Sequence, residues 1–219
     1  LTGTASERPQ GFSVLKSKDL KTWTPVGRLL TEGKQVYGNK GFWAPQFYKN
    51  GKTWQLAYTD KEQVAVAEAP KRTGPYTQKL VKPVDESAKN LVPVVFTDDD
   101  GKSYLFHVRF NNGNFIWVAA YDKNTQTIDR NTLQRCLDNT QAWANTPDYP
   151  SAPIMEGPTV IKHKGKYYLF YSANHFMSRD YAVGYAVADS PLGPWKKPND
   201  NRIIHRATVG ENGSGHGDV

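Results

Sequence analysis

The protein has 219 residues, of which 38% are hydrophobic, 12% are aromatic and 22% are charged, and its formal net charge is +7. This composition is typical of a globular domain and excludes collagen-like and disordered chains. The longest apolar run, residues 91–96, is far shorter than the roughly 18 residues that a membrane helix needs, so we expect no membrane partner. The basic residues are scattered singly, so we interpret the charge as a solvated surface and expect no nucleic-acid partner.

A single cysteine, Cys136, excludes a disulfide within the chain and any zinc cluster built from cysteines. The chain begins at Leu1 without the basic start and apolar core of a signal peptide. The single cysteine does not fix the compartment, because bacterial secreted proteins often lack disulfides.

Three segments share one pattern, in which a strand is followed by a Gly-Lys turn and an aromatic-rich strand. The turn glycines are Gly51, Gly101 and Gly165. Such a pattern predicts β-hairpins. A second marker closes the units, and its copies are Lys21-Thr-Trp23, Gly74-Pro-Tyr76 and Gly193-Pro-Trp195.

Repeating units of about 50 to 65 residues with about four short strands predict the blades of a β-propeller. The alternative is a β-sandwich, whose strands need not repeat in register. The best helix candidate, residues 129–138, is short enough to be a loop or a single turn. We expect one all-β catalytic domain over residues 1–219, truncated at both ends, with blades at about 41–82, 91–129 and 156–197 and partial blades at 1–29 and 210–219. The open blade edges predict self-association.

Two residues occur where a blade's first strand begins. Glu156 follows a proline-rich loop, and an acidic residue lining a central channel suits general-acid chemistry. The alternative is an exposed loop glutamate. Trp43 has the matching position one unit opening earlier, where it either stacks on a sugar or packs between blades.

Two further motifs contain groups that could bind a ligand. His216 stands among glycines, which allow close backbone approach, so it either contacts an ion or substrate or is structural. The five histidines show no zinc-binding spacing. The acidic run 98–100 precedes Gly101, and we interpret it as a solvated turn rather than a calcium site.

These motifs together resemble glycoside hydrolase family 43. The residues that carry the resemblance are Ser17-Lys-Asp-Leu-Lys-Thr-Trp23, Phe42-Trp-Ala-Pro45, Asp98-Asp-Asp-Gly-Lys-Ser-Tyr104, Glu156-Gly-Pro158, Tyr167-Tyr-Leu-Phe-Tyr171, Asp189-Ser-Pro-Leu-Gly-Pro-Trp195 and Gly215-His-Gly-Asp218. The resemblance implies a five-bladed β-propeller that hydrolyses O-glycosidic bonds with inversion. Members of the family include α-L-arabinofuranosidases, β-xylosidases and arabinanases that act on plant polysaccharides.

The resemblance also implies roles for particular residues. Glu156 matches the general acid, and Trp43 matches an aromatic at the rim of the site. His216 matches a histidine near the channel centre, beside a water or a structural Ca or Na ion, with no other cofactor required. Arg109 and His175, just past inner strands, are weaker candidates for sugar contacts.

Two acids of the family pattern have no match in this sequence. The catalytic base would precede Leu1, and the aspartate that assists the general acid falls on Val92. Asp60 and Asp218 could substitute for the base, but the sequence spacing of neither residue supports that role.

Two functions follow from these matches and gaps. The first is a secreted or periplasmic glycoside hydrolase of the α-L-arabinofuranosidase or β-xylosidase type. The alternative is a non-catalytic carbohydrate-binding propeller that has lost its acids. The sequence leaves open which sugar is recognised, and whether action is at chain ends or internal.

Overall fold

The computed structural model describes residues 1–4, 11–30, 35–39, 41–149 and 152–217. Almost all of its regular structure is antiparallel β-strand. The chain divides into two compact units, Leu1–Val95 with Lys123–Thr127, and Phe96–Asp122 with Ile128–Val219. Within the described residues, no helix has the length and apolar character needed to span a membrane.

The described part of the first unit contains two complete sheets. Strands β1 (Ser13–Lys16) and β2 (Thr24–Arg28) form a two-stranded sheet, and β3 (Trp43–Asn50), β4 (Thr53–Asp60) and β5 (Gln63–Ala69) form a three-stranded sheet in that order. The core of this unit contains the fully buried rings of Phe12, Phe42 and Tyr58. The ring of Phe12 lies 5.7 Å from that of Phe42 and 6.1 Å from that of Tyr58, in edge-on contacts that favour aromatic pairs.

Strand β6 (Asn90–Thr97) continues from the first unit into the second. It is followed by β7 (Ser103–Phe110), β8 (Asn114–Asp122), the short β9 (Thr127–Ile128) and β10 (Gln134–Arg135). These strands form one sheet in the order β10-β8-β7-β6, with β9 also beside β8. The helix candidate at 129–138 is a single 3-10 turn, Arg130–Thr132, followed by β10, as expected for a segment this short.

The last sheet contains β11 (Met155–His163), β12 (Lys166–Ala173), β13 (Ala182–Ala188) and β14 (Arg202–Ile204) in that order, and the short helix α1 (Arg206–Val209) follows it. The hairpins predicted at Gly51, Gly101 and Gly165 are confirmed. Each of these glycines has a positive φ in its turn, which glycine adopts without steric cost. The observed sheets lie at 13–28, 43–69, 90–135 and 155–204.

Strands β3, β6 and β11 share an unusual start. In each, the residue before a proline has a left-handed backbone: Ala44 with φ 47°, Val92 with φ 54° and Gly157 with φ 59°. A β-bulge follows in β3 and in β11. A bulge interrupts the regular ladder and redirects the side chains beside it.

The acidic turn at 98–100 differs from the prediction. Asp98 is not solvated, because its carboxylate accepts hydrogen bonds from Lys162 and Tyr167 and its side chain is only 9% exposed. Asp99 and Asp100 are exposed as predicted. The turn therefore joins the end of β6 to the β11–β12 hairpin through a partly buried charge pair.

Candidate active site

Glu156 is the second residue of β11 and is half-buried. It lies opposite Ser172 of β12 in the antiparallel register. Its Oε1 accepts a hydrogen bond of 2.8 Å from the hydroxyl of Tyr181. One carboxylate oxygen is thus held in place by a neighbouring side chain.

Tyr181 is a buried donor to this carboxylate, with 3% of its surface exposed. Burial, and after it the charge of Glu156, raise the pKa of Tyr181 far above its usual value. The phenol therefore stays protonated and donates at all ordinary pH values. Gly215 packs against its ring so closely that a Cβ there would lie 2.4 Å from a ring carbon, which excludes any larger residue.

His216 lies in the same group of residues. Its main-chain N–H donates to Oγ of Ser172 at 2.7 Å, and its φ of 57° is unusual for a residue other than glycine. A Cβ at position 157 would lie 3.3 Å from the His216 ring, so Gly157 leaves room for the imidazole. The structure brings Glu156 and His216 together, although they are far apart in sequence.

Arg109 lies in the same unit, near the end of β7. Its side chain is buried and its guanidinium lies 5.7 Å from the ring centre of Trp117. Arg109 lies opposite Phe115 in the ladder of β7 and β8. The residue before Phe115, Asn114, pairs through its main chain with Ile154, which directly precedes β11. Arg109 therefore lies at the end of its sheet that adjoins the strand of Glu156.

His175 lies in the loop between β12 and β13. Its ring stacks on Tyr149 at 4.1 Å and on Phe176 at 4.6 Å. Its Nδ1 accepts the main-chain N–H of Met177. The side chain is therefore held among aromatic groups.

Trp43 and Val92 belong to the first unit. Trp43 is half-buried opposite Thr59, with its ring packed over Gly41. Val92 is buried and donates its main-chain N–H to Oγ1 of the same Thr59 at 2.8 Å. The first strands of two predicted blades are thus joined through one threonine.

Of the two possible substitutes for the catalytic base, Asp60 lies within the described residues and Asp218 does not. Asp60 is completely buried in the first unit, beneath Gly38, and accepts the N–H of Asn39. A carboxylate enclosed in this way is poorly placed to activate a water for a sugar. Asp218 lies outside the described residues.

A protein site for a cation is built from several grouped His, Cys, Asp or Glu side chains. In the part of the chain that the structure describes, no three side chains of His, Cys, Asp or Glu form a group suited to a cation. The Ca or Na ion near His216 therefore stays a prediction from the resemblance, and no chemical step here depends on it.

Two members of the site have no signal in single motifs. Tyr181 stands outside the glycine-rich and acidic motifs, and Ser172 is the last polar residue of an aromatic strand. The repeat could have indicated Ser172, because a hairpin with its turn at Gly165 pairs Ser172 with Glu156. The contact between Tyr181 and Glu156 depends on side-chain packing, which strand patterns do not predict.

Comparison with known proteins identifies the group to which these features belong. Residues 1–219 match the family model of glycosyl hydrolases family 43, so the chain belongs to this family. A crystal structure of an endo-1,4-beta-xylanase from Bacteroides thetaiotaomicron VPI-5482 is 38% identical, with a TM-score of 0.89, and the match covers 99% of this chain and 74% of that one. The fold is the all-β, five-bladed β-propeller fold of this family.

Two further relatives are more distant. The beta-D-galactofuranosidase xynD of Aspergillus niger is 24% identical over 95% of this chain, and xylosidase/arabinosidase 43B of Humicola insolens is 24% identical over 95%. The chain spans 61% of the length of the first protein and 40% of the second.

Proposed function

We propose that this chain carries the general-acid side of an inverting glycoside hydrolase that acts on plant-type polysaccharides or their oligosaccharides. The observation that carries the proposal is the placement of Glu156 on the bulged start of β11, where Tyr181 holds one carboxylate oxygen and His216 lies alongside. Membership of the glycosidase family supports the reaction class.

Glu156 performs the first proton transfer in this proposal. Its free oxygen protonates the glycosidic oxygen as the bond to the anomeric carbon breaks, and the leaving group departs as an alcohol. The glutamate becomes an anion in this step. The hydroxyl of Tyr181, already aimed at Oε1, stabilises the new charge without reorganisation.

An inverting mechanism also requires a carboxylate base that activates water on the opposite face of the sugar, roughly 6.5 to 9.5 Å from the acid. In the family pattern this base is an aspartate that aligns before Leu1. Residues 1–219 therefore supply the acid in this proposal and do not include the matching aspartate.

The substrate class follows from the similar proteins. The names of the relatives describe action on xylan, on xylosides and arabinosides, and on a galactofuranoside. We propose a pentose-containing polymer, with α-L-arabinofuranosyl or β-D-xylosyl groups as the cleaved units. A polymer of this kind does not cross membranes, so we place the enzyme outside the cytoplasm, in a secreted or periplasmic location.

The test compares the unchanged protein with Glu156→Gln on p-nitrophenyl α-L-arabinofuranoside, β-D-xyloside and β-D-galactoside. We expect Glu156→Gln to reduce turnover by about 10²- to 10⁴-fold, because the amide has no proton to transfer. Glu211→Gln, at an exposed glutamate of the same unit, is the matched control and should keep full activity. Measurable turnover that is equal in all three proteins would refute the assignment of Glu156.

A second candidate function is carbohydrate binding without hydrolysis. The observation that favours it is Val92, an apolar residue where the resemblance requires a carboxylate. Absence of turnover on every glycoside, together with retarded migration in gels that contain arabinoxylan, would support this alternative.

A further inference from the structure

An exposed aromatic surface lies beyond the catalytic group and has no role in the mechanism above. We call it the aromatic platform and define it as Tyr149, His175, Phe176 and Met177. The ring of His175 stacks on Tyr149 and on Phe176, and the Tyr149 hydroxyl donates to Sδ of Met177. Phe176 is 65% exposed and Met177 is 62% exposed. Contiguous apolar side chains at a protein surface often mark a binding site, whereas single exposed apolar side chains are common.

The platform is rigidly supported at the end of β12 by Asn174. This residue is buried and has a φ of 74°. Its Oδ1 accepts the N–H of Thr146 at 2.9 Å, and its Nδ2 donates to the carbonyls of Trp143 and Asp180, both at 2.8 Å. One side chain thus joins the segment before Tyr149 to the loop of His175.

Asp148 provides a second connection between the same two segments. Its carboxylate accepts the hydroxyl of Ser178 at 2.9 Å, the main-chain N–H of Arg179 at 2.7 Å and Nε of Arg179 at 3.1 Å. The hydrogen bond from Ser178, followed by those from Arg179, lowers the pKa of Asp148, so the anion persists at neutral pH. Rigid support of this kind reduces the entropy that a surface loses when it binds a ligand.

The position of the platform relates it to Glu156. Ser172 lies opposite Glu156, and His175 follows three residues later on the same chain. At about 3.3 Å per residue, the chain can cover at most about 10 Å over this stretch. A sugar beside Glu156 and a sugar on the platform can therefore belong to one polymer.

We propose that the aromatic platform binds a sugar unit of the polymeric substrate other than the unit that is cleaved. The C–H face of a sugar ring packs on the outer face of Phe176, at the end of the stack that His175 forms with Tyr149 and Phe176, since aromatic faces offer large, rigid apolar area. The exposed guanidinium of Arg179 lies in the same loop and can donate to hydroxyl groups. This proposal rests on the proposed function, because it assigns a further contact to the same polysaccharide.

The first test compares Phe176→Ala with the unchanged protein on two kinds of substrate. We expect kcat/KM on arabinoxylan or arabinan to fall about tenfold through KM, which corresponds to the loss of one good stacking contact. Activity on p-nitrophenyl glycosides, which have no second sugar, should stay unchanged. Leu80→Ala removes an apolar side chain that is also 65% exposed, in the other unit, and should alter neither substrate.

Phe176→Trp keeps an aromatic face and should restore the KM for polymer. Because Phe176 is largely exposed, the melting temperature of Phe176→Ala should match that of the unchanged protein. An equal KM for polymer in Phe176→Ala and the unchanged protein would overturn the proposal. So would a changed sedimentation coefficient with an unchanged KM, because the platform would then be a contact between copies of the chain.

A binding experiment separates this proposal from the proposed function. In a Glu156→Gln background, migration through gels that contain arabinoxylan should be retarded, and adding Phe176→Ala should abolish most of the retardation. If no protein hydrolyses any glycoside but this loss is observed, the platform stands and the hydrolase assignment fails. If Glu156→Gln abolishes hydrolysis but Phe176→Ala changes neither KM nor retardation, the platform fails and the hydrolase assignment stands.

Discussion

The turn at Glu156-Gly-Pro158 and the turn at Leu91-Val-Pro93 have the same backbone form and different chemistry. In both, the residue before proline is left-handed, with φ of 59° at Gly157 and 54° at Val92. Glycine adopts this conformation freely, whereas a β-branched side chain is strained there, at a cost of about 1–3 kcal/mol. One turn presents a carboxylate to a tyrosine, and the other buries an isopropyl group.

This difference shows that the turn is a structural feature that persists without its acid. The left-handed Ala44 in the Trp43-Ala-Pro45 turn is a third example with another side chain. At Val92, the main-chain N–H is bound by the buried Thr59 and the side chain is enclosed, and these interactions offset the strain. The turn occurs near the start of each strand, and the sequence decides which side chains it carries there.

The strongest test of the comparison is to copy the strained turn into the Glu156 turn with Gly157→Val. We expect activity to fall at least about 100-fold, because a Cβ there would lie 3.3 Å from the His216 ring and displace the group around Glu156. The control is Gly101→Val, which places a β-branched residue at φ 82° in an open turn. Gly101→Val should lose stability to thermal unfolding but keep kcat. Similar activity losses in both variants would mean that strain alone, and not the His216 contact, matters.

A smaller effect is expected when the donor to Glu156 is removed in Tyr181→Phe. We expect kcat to fall about tenfold with little change in KM, because the lost hydrogen bond stabilises the anion formed during reaction. Tyr171→Phe is the matched control, since Tyr171 is also buried and hydrogen-bonds Asn201. It should lose about 0.5–1.5 kcal/mol of stability without a loss in kcat. A kcat loss of equal size in both variants would contradict the positioning role of Tyr181.

The comparison becomes sharper if the missing acid is restored in the other turn. Asn and Asp tolerate the left-handed conformation better than Val, so Val92→Asn and Val92→Asp should adopt the turn with less strain. We expect only Val92→Asp to raise kcat/KM, by about threefold to tenfold, because the family pattern requires a carboxylate there. Steady-state kinetics of both variants tests this prediction. A gain in Val92→Asn as large as in Val92→Asp would attribute the effect to strain instead of charge.

The smallest effect concerns the far ends of the same two strands, where Asp98 bonds to Lys162 and Tyr167. Burial alone would raise the pKa of Asp98, but the hydrogen bonds from Lys162 and Tyr167 outweigh it, so the pKa is lowered. A carboxyl group whose pKa is lowered by folding stabilises the protein above its ordinary pKa of about 3.9, and this contribution is lost as pH falls through the lower value. Asp98→Asn should therefore lose about 1–3 kcal/mol at pH 7 and show a weaker loss of stability in acid.

Denaturant titrations of Asp98→Asn at pH 7 and at pH 3 measure this effect. Asp100→Asn is the control, because the pKa of Asp100 is lowered mainly by its hydrogen bond with Lys102, while its side chain is half exposed and water screens the pair. The difference in stability between the unchanged protein and Asp98→Asn should shrink at pH 3. A constant difference would show that the Asp98 charge is not what stabilises the hairpin contact.

Much of the fold follows from local patterns in the sequence. The hairpins at Gly51, Gly101 and Gly165 depend on turn chemistry and alternating side chains, which act over fewer than ten residues. The family motifs make Glu156 and Val92 candidate positions in the same way, because each belongs to a short segment before a proline. A local pattern does not determine the neighbours of a side chain, so the sequence does not predict the contacts of Asp98 with Lys162 and Tyr167.

By itself, the sequence determined the β-hairpins and the family, because turns and motifs are encoded in neighbouring residues. Only the tertiary structure placed Tyr181, Ser172 and His216 around Glu156 and assembled the aromatic platform from two segments. These contacts join residues tens of positions apart. They form because several strands and loops pack at once, and that packing is a property of the whole fold.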